Sequence, residues 1–170
     1  VLRKETENIT ADYPNLAELI DNMFQTMHNS DGIGLAAPQI GLAIRLFVID
    51  ATPMQEDFPE IETAKKVFIN PEIIDHSEET IAYEEGCLSV PGIHEKVTRP
   101  SEVTVHYFDE NFVEHTDKFT GFFARIVQHE YDHLEGHVFT DRVSPLRRQM
   151  ISSKLQNIQK GKARCSYKTK

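Results

Sequence analysis

His129-Glu130-Tyr131-Asp132-His133 constrains this chain more than any other stretch, because its chemistry needs an α-helix. Histidines four residues apart on a helix leave from one face, roughly 5–6 Å apart at their β-carbons. Two imidazoles so placed can bind one divalent cation. A Glu directly after the first His can lean over the open coordination position and handle protons for a water. H-E-x-x-H therefore reads as a hydrolytic metal site. The plain alternative is a solvated helix that carries two histidines.

An open catalytic site takes three protein ligands and leaves a position for water. Downstream of the motif the choices run out. Gly136 fits the longer H-E-x-x-H-x-x-G-x-x-H pattern, but its final position holds Phe139. No Glu follows Glu135, and Asp141 is the one later carboxylate. Upstream, Glu84-Glu85-Gly86-Cys87-Leu88-Ser89 offers a thiol. The other cysteine, Cys165, lies in a polar C-terminal tail. Cys87 with His129 and His133 makes a donor set suited to zinc, iron(II), nickel or cobalt. The competing reading of Cys87 is a small buried apolar residue.

Gly32-Ile33-Gly34-Leu35-Ala36-Ala37-Pro38-Gln39-Ile40-Gly41 is a third distinctive run. Its glycines let backbone approach a ligand or another strand, and the Gln39 amide could stabilise a developing oxyanion. Gly-rich turns between helix and strand are common, so the run alone is weak evidence. It contains neither G-x-x-x-x-G-K-[ST] nor G-x-G-x-x-G, which leaves a nucleotide role unsupported.

GIGLAAPQIG, EEGCLS and QHEYDHLEG, in this order and at these separations, resemble the three signature motifs of peptide deformylases. The resemblance runs from the first residues through at least Gly136. It implies removal of the N-formyl group from formyl-methionine on new polypeptides by an activated water. It implies a metal, usually iron(II) in the cell with zinc, nickel or cobalt tolerated, held by Cys87, His129 and His133. Glu130 would be the general acid/base, Gln39 and the Leu88 N–H would cradle the oxyanion, and Gly34 would line the cleft. Family members usually carry a short apolar segment ahead of the Val-Leu-Arg run. This sequence opens at Val1-Leu2-Arg3-Lys4, and a leader segment is expected before it.

Helical spacing puts Ile126 and Phe122 on the metal-facing side, three and seven residues before His129. Both could line a pocket for a methionine side chain, and ordinary core packing is the alternative. The family's architecture and the glycine content suggest that peptide backbone adds as a strand beside Gly32–Leu35, including Ile33.

No apolar run approaches ~18 residues, so no membrane span is expected. No signal peptide is seen at the start, and two mismatched cysteines build no disulfide framework. A reducing, cytoplasmic setting suits a thiolate ligand. Arg147 to Lys170 holds eight basic residues and no acidic one, so the other 146 positions carry 10 basic and 27 acidic. The acidic body should repel nucleic acid, and no sequence-specific binding is expected. The basic C-terminal segment, from about 145 to 170, could dock on the ribosome, or could be a solvated helix and frayed tail.

The layout predicts one α+β domain over residues 1–170. Small mixed or antiparallel sheets should surround a central metal-binding helix, with an N-terminal and a C-terminal helix. An amphipathic helix is expected over Asn15–His28. Short strands are expected at Ile44–Asp50, Val67–Ile69, Glu72–Asp75 and Thr80–Tyr83. Val103, Val105 and Tyr107 alternate with polar residues before an Asp109-Glu110-Asn111 turn into Phe112–Phe119. Phe122–Leu134 is the metal helix, and Ser144-Pro145 should start a last helix reaching Gln159. Thr52–Ile61 reads as a surface loop. Arg99, beyond a Pro91-Gly92 loop, reads as a surface ion pair, with anchoring of a substrate carbonyl or a carboxylate the alternative. Asp132 could support a histidine N–H, but helix geometry points it away. His94, His106, His115 and His137 read as surface or strand residues. A metal-dependent endopeptidase and a closed structural metal module are the rival classes. The first lacks its downstream ligand, and the second lacks an evident fourth.

Overall fold

Successive residues of the strand Leu46–Asp50 are buried on opposite faces, and this sets the layering of the molecule. The computed structural model describes residues 2–162, so Cys165 and the end of the basic segment, 163–170, lie outside the described residues. On one face Leu46 and Val48 pack with Val67 and Ile69 against Ile20, Met23, Phe24 and Met27 of the helix α1, Leu16–Asn29. On the other, Phe47 and Ile49 pack with Phe68, Val103, Val105 and Phe119 against Phe123 and Val127 of the helix α2, Gly121–Leu134. A strand covered by a helix on each side needs no polar alternation. Each fully buried Leu or Ile contributes about 1.5–3 kcal/mol to these two cores.

The larger sheet has five antiparallel strands in the order β1-β2-β3-β6-β7. They are β1 (Gly34–Ala36), β2 (Leu46–Asp50), β3 (Lys65–His76), β6 (Glu102–Phe108) and β7 (Glu114–Thr120). Between β3 and β6 come β4 (Thr80–Cys87) and β5 (Val90–Pro100), which pair with each other as a separate two-stranded ribbon. Ribbon residues Val90, Ile93 and Val97 form a third core with Val138, Phe139, Val143 and Ile151. The expected α+β arrangement around the metal helix is present. Among the described residues all seven strands pair antiparallel, and the one parallel contact is an isolated bridge between Glu7 and Ile44.

Three local expectations need correction. The two strands around Asn70-Pro71 are one bulged strand, with Asn70 at φ 49° and a shift in its pairing with β6. The side chain of Asn70 holds both the N–H and the C=O of Ile9 at 2.8 Å, which stabilises the bulge. Pro91-Gly92 lies inside β5, where Gly92 takes φ 73° and the ribbon register shifts between Glu85 and Cys87. The single last helix is two: α3, Pro145–Met150, and α4, Ser152–Gln159. Ile151 ends the first by turning into the ribbon core. Ser144 does cap α3, accepting from the Arg147 N–H at 3.3 Å.

α2 ends where Gly136 adopts φ 74°. His137 N–H donates to the Asp132 carbonyl at 2.8 Å and Gly136 N–H to that of His133, a Schellman closure. Arg3 locks this end from outside, donating to the Gly136 carbonyl and pairing with Asp141. The second turn of the H-E-x-x-H segment is thus held at its C-terminal margin.

Candidate metal centre

β4 runs to Cys87 at the tip of the ribbon, and the ribbon tip faces α2. The extended backbone sends every second side chain to one side, so Glu85 and Cys87 both turn toward the helix while Glu84 turns away. Across from them, His129 and His133 leave one face of α2. The ligand atoms of Cys87, His129 and His133 lie within 4.8 Å of one another. Cys87 Sγ is 3.3 Å from His133 Nε2.

The Glu85 carboxylate accepts from His129 Nδ1 at 2.7 Å, which places the proton there and leaves Nε2 for the cluster. Burial by itself raises the Cys87 thiol, but hydrogen bonds and charge from His129 and His133 outweigh it and hold the group well below the usual thiol range. The sulfur also receives the Ser89 N–H at 3.4 Å and the Gln39 Nε2 at 3.5 Å. A thiolate and two imidazoles, one with its tautomer fixed, suit a divalent transition metal.

Glu130 is buried beside this cluster, and its Oε2 has no hydrogen-bond partner among the described residues. Burial is the main cause that pushes its carboxyl up to about 7. Gly34 on β1 makes room for it, since a β-carbon there would lie 2.8 Å from the Glu130 Cδ. Gln39 stands in a 3-10 turn, Ala37–Ile40, that continues β1. Its Oε1 accepts the Ala36 N–H at 2.8 Å, so its amide nitrogen points toward Ser89 Oγ at 3.0 Å and Cys87.

A cleft of about 650 Å³ opens over these groups. Ile33, Gly34, Gln39, Leu88, Ile126 and Phe122 line it with His129 and Glu130. The structure therefore brings together the residues singled out in the sequence. Phe122 stacks on Phe58 at 4.3 Å, with Tyr83 edge-on to both. Met54 also lines the cleft, so the Thr52–Ile61 segment expected at the surface closes one side of it. His94, set aside in the sequence, lines the mouth and lies against Gly86.

A family model for polypeptide deformylase matches residues 1–149.

The chain belongs to the peptide deformylase family.

The peptide deformylase of Christiangramia forsetii is 49% identical over 99% of this chain and 89% of its own length. That of Salinibacter ruber is 44% identical over 98% of this chain and 87% of its own. Among solved structures, a peptide deformylase from Plasmodium falciparum superposes with a TM-score of 0.85 at 37% identity, covering 94% of this chain and 91% of that one. One from Legionella pneumophila gives 0.80 at 38% identity over 96% and 92%. The chain is thus a deformylase-family enzyme, and its family is metal-dependent.

Sequence reasoning missed the ionic groups beneath the deformylase site. Arg99 is buried, not at the surface: it pairs with Glu85 through Nε and a terminal nitrogen at 2.7 and 2.9 Å, and with Asp132 at 2.7 Å. Asp132 is buried too, and also accepts from Arg142. Arg125 reaches Glu85 from the helix at 2.7 Å. The one available signal was the i, i+2 spacing of Glu85 and Cys87, which predicts a shared face once β4 is extended through them.

Proposed function

We propose that Cys87 Sγ, His129 Nε2 and His133 Nε2 hold one divalent metal ion and that Glu130 carries protons beside it in removing formyl groups from polypeptide N-termini. The observation that carries this reading is the convergence of three ligand atoms within 4.8 Å next to a buried carboxyl with an unpartnered oxygen. The donor set accepts iron(II), zinc, nickel or cobalt, with iron(II) the family's usual choice. When bound, such an ion supplies Lewis acidity toward water and the formyl oxygen.

The chain's own groups supply the remainder. Glu130 Oε2, with no partner to give up, takes the proton of the attacking water and returns it to the departing amine. Gln39 Nε2 and the Leu88 N–H donate to the oxygen on which charge develops. The substrate backbone adds as a strand beside Gly32–Leu35, on the side of β1 away from β2, and the first side chain enters between Ile126 and Phe122. This places the formyl carbon toward Glu130.

A reducing cytoplasm suits the Cys87 ligand, and no helix among the described residues is long and apolar enough to cross a membrane. Ribosome docking by the basic C-terminal segment would use some of its eight basic groups, of which Arg164, Lys168 and Lys170 lie outside the described residues. Arg147 is paired with Glu95 and Arg148 with Asp141, whereas Lys154, Lys160 and Lys162 are exposed. Formate release from a formyl-Met tripeptide, by protein loaded anaerobically with iron(II), tests the activity against an acetyl-Met control. Release from the formyl peptide alone is expected. Metal-loaded protein that frees no formate would overturn the assignment.

A further inference from the structure

The proposed ligands come from two bodies that share no strand. Cys87 belongs to the β4–β5 ribbon, and His129 and His133 belong to α2, which packs on the five-stranded sheet. The ribbon's apolar core faces Val138, Phe139 and Val143, beyond the end of α2. What joins ribbon to helix beside the ligands is largely polar, with the Tyr83–Phe122 ring contact about two turns of α2 before His129.

Arg125, one turn before His129, spans that junction with a buried guanidinium. One terminal nitrogen donates to Glu85 Oε2 at 2.7 Å and to the Val97 carbonyl on β5 at 2.8 Å. The other donates to the Ile81 carbonyl on β4. The same group lies 5.3 Å over the Tyr83 ring. Both ribbon strands are thus tied, through their backbone, to one helical side chain. Arg99 crosses the other way, from β5 to Asp132 on α2. Glu85 sits where the two meet, and its four close donors include His129 Nδ1.

We infer that Arg125 is a positioning residue that fixes the spacing between Cys87 and the two histidines, and thereby how long the metal stays bound. The inference rests on the metal-site reading above. A planar fork reaching two strands and a carboxylate is a task for guanidinium. Lysine, a point charge, can hold one of the three acceptors well but not all three in their present geometry. Without the fork, the ribbon is free to settle at another height against the helix. Cys87 then no longer faces His133 Nε2 at its present distance.

The test loads full-length wild type, Arg125→Lys and Arg125→Met with cobalt(II). Two readouts are the thiolate-to-cobalt absorption band and the rate of cobalt loss to an excess of chelator. Arg125→Met should lose cobalt about 10–100-fold faster than wild type, with a shifted band. Arg125→Lys should fall between them. A residue that only stabilises the fold would lower the melting temperature and leave band and rate unchanged, and that result in folded variants overturns the inference. Should Arg125→Met fail to fold, Arg125→Lys decides by the same two readouts. A wild-type protein that shows no thiolate-to-cobalt band would instead remove the metal-site reading, and this inference with it.

Discussion

Gly34 and Glu130 occupy one another's space: the carboxyl of Glu130 lies where a β-carbon of residue 34 would stand. The glycine is a steric requirement of the carboxylate, independent of turn geometry, since φ there is not in the left-handed region. Gly34→Ala should fold and bind metal normally while Glu130 is displaced. Because an ångström of misplacement can lower a rate about 10²-fold, kcat should fall on that order. Steady-state formate release checks this, and a kcat within twofold of wild type would contradict it.

Glu130→Gln keeps the volume and removes the proton-carrying oxygen. The buried Oε2 has no partner to lose, so stability should hold or rise slightly. Turnover should drop by about 10²–10⁴ with metal content unchanged. Full activity in metal-replete Glu130→Gln would refute the proton role.

Gln39→Ala removes an amide held in place by the Ala36 N–H. The expected loss is about 10²–10³ in kcat, with little change in KM, because the donor serves charge that exists only during reaction. A rise in KM alone would show that Gln39 serves ground-state binding instead.

The arginines under the site predict an acid limit on stability. Burial pushes the Asp132 carboxyl up, but hydrogen bonds from Arg142 and Arg99 and their charges hold it below the usual carboxylate range. Glu85 is held low against burial by His129 and Arg99. A depressed folded-state pKa gives stability that is complete above the unfolded value of about 4 and is lost as pH falls through the folded value. These two carboxyls should make the urea midpoint fall steeply below about pH 4, while Glu130, pushed up to about 7, makes it decline between about pH 5 and 7. Asp132→Asn should make that acid slope shallower by about one proton. An unchanged slope would argue that Asp132 titrates normally.

Much of this arrangement was legible because the residues involved report on their own surroundings. Histidines at i and i+4 need only a helix to meet, and Ser144-Pro145 needs only its own turn. Cys87 could be chosen because the sequence downstream of His133 offers no suitable donor. The ion network was not legible, because its strength is in burial. Arg99 and Asp132 have the composition of surface residues and are adjacent only once the ribbon folds onto α2. Likewise, β5 was hidden by Pro91 and Gly92, which read as loop, although the ribbon tolerates them beside a bulge. The break at Ile151 follows from a tertiary contact, which helix propensity does not contain.

The shortness of β1 has a temporal meaning. The strand is three residues long, Gly34–Ala36, and its Ala36 N–H is already taken by Gln39. A chain pairing there gains a few backbone hydrogen bonds, each with a net contribution of about 1 kcal/mol, so it cannot dwell for long. It must also arrive extended, with both backbone sides unclaimed. An N-terminus already folded into its own domain presents neither. On the proposed reading the edge would work as a clock as much as a grip, admitting polypeptides in the interval between their synthesis and their folding.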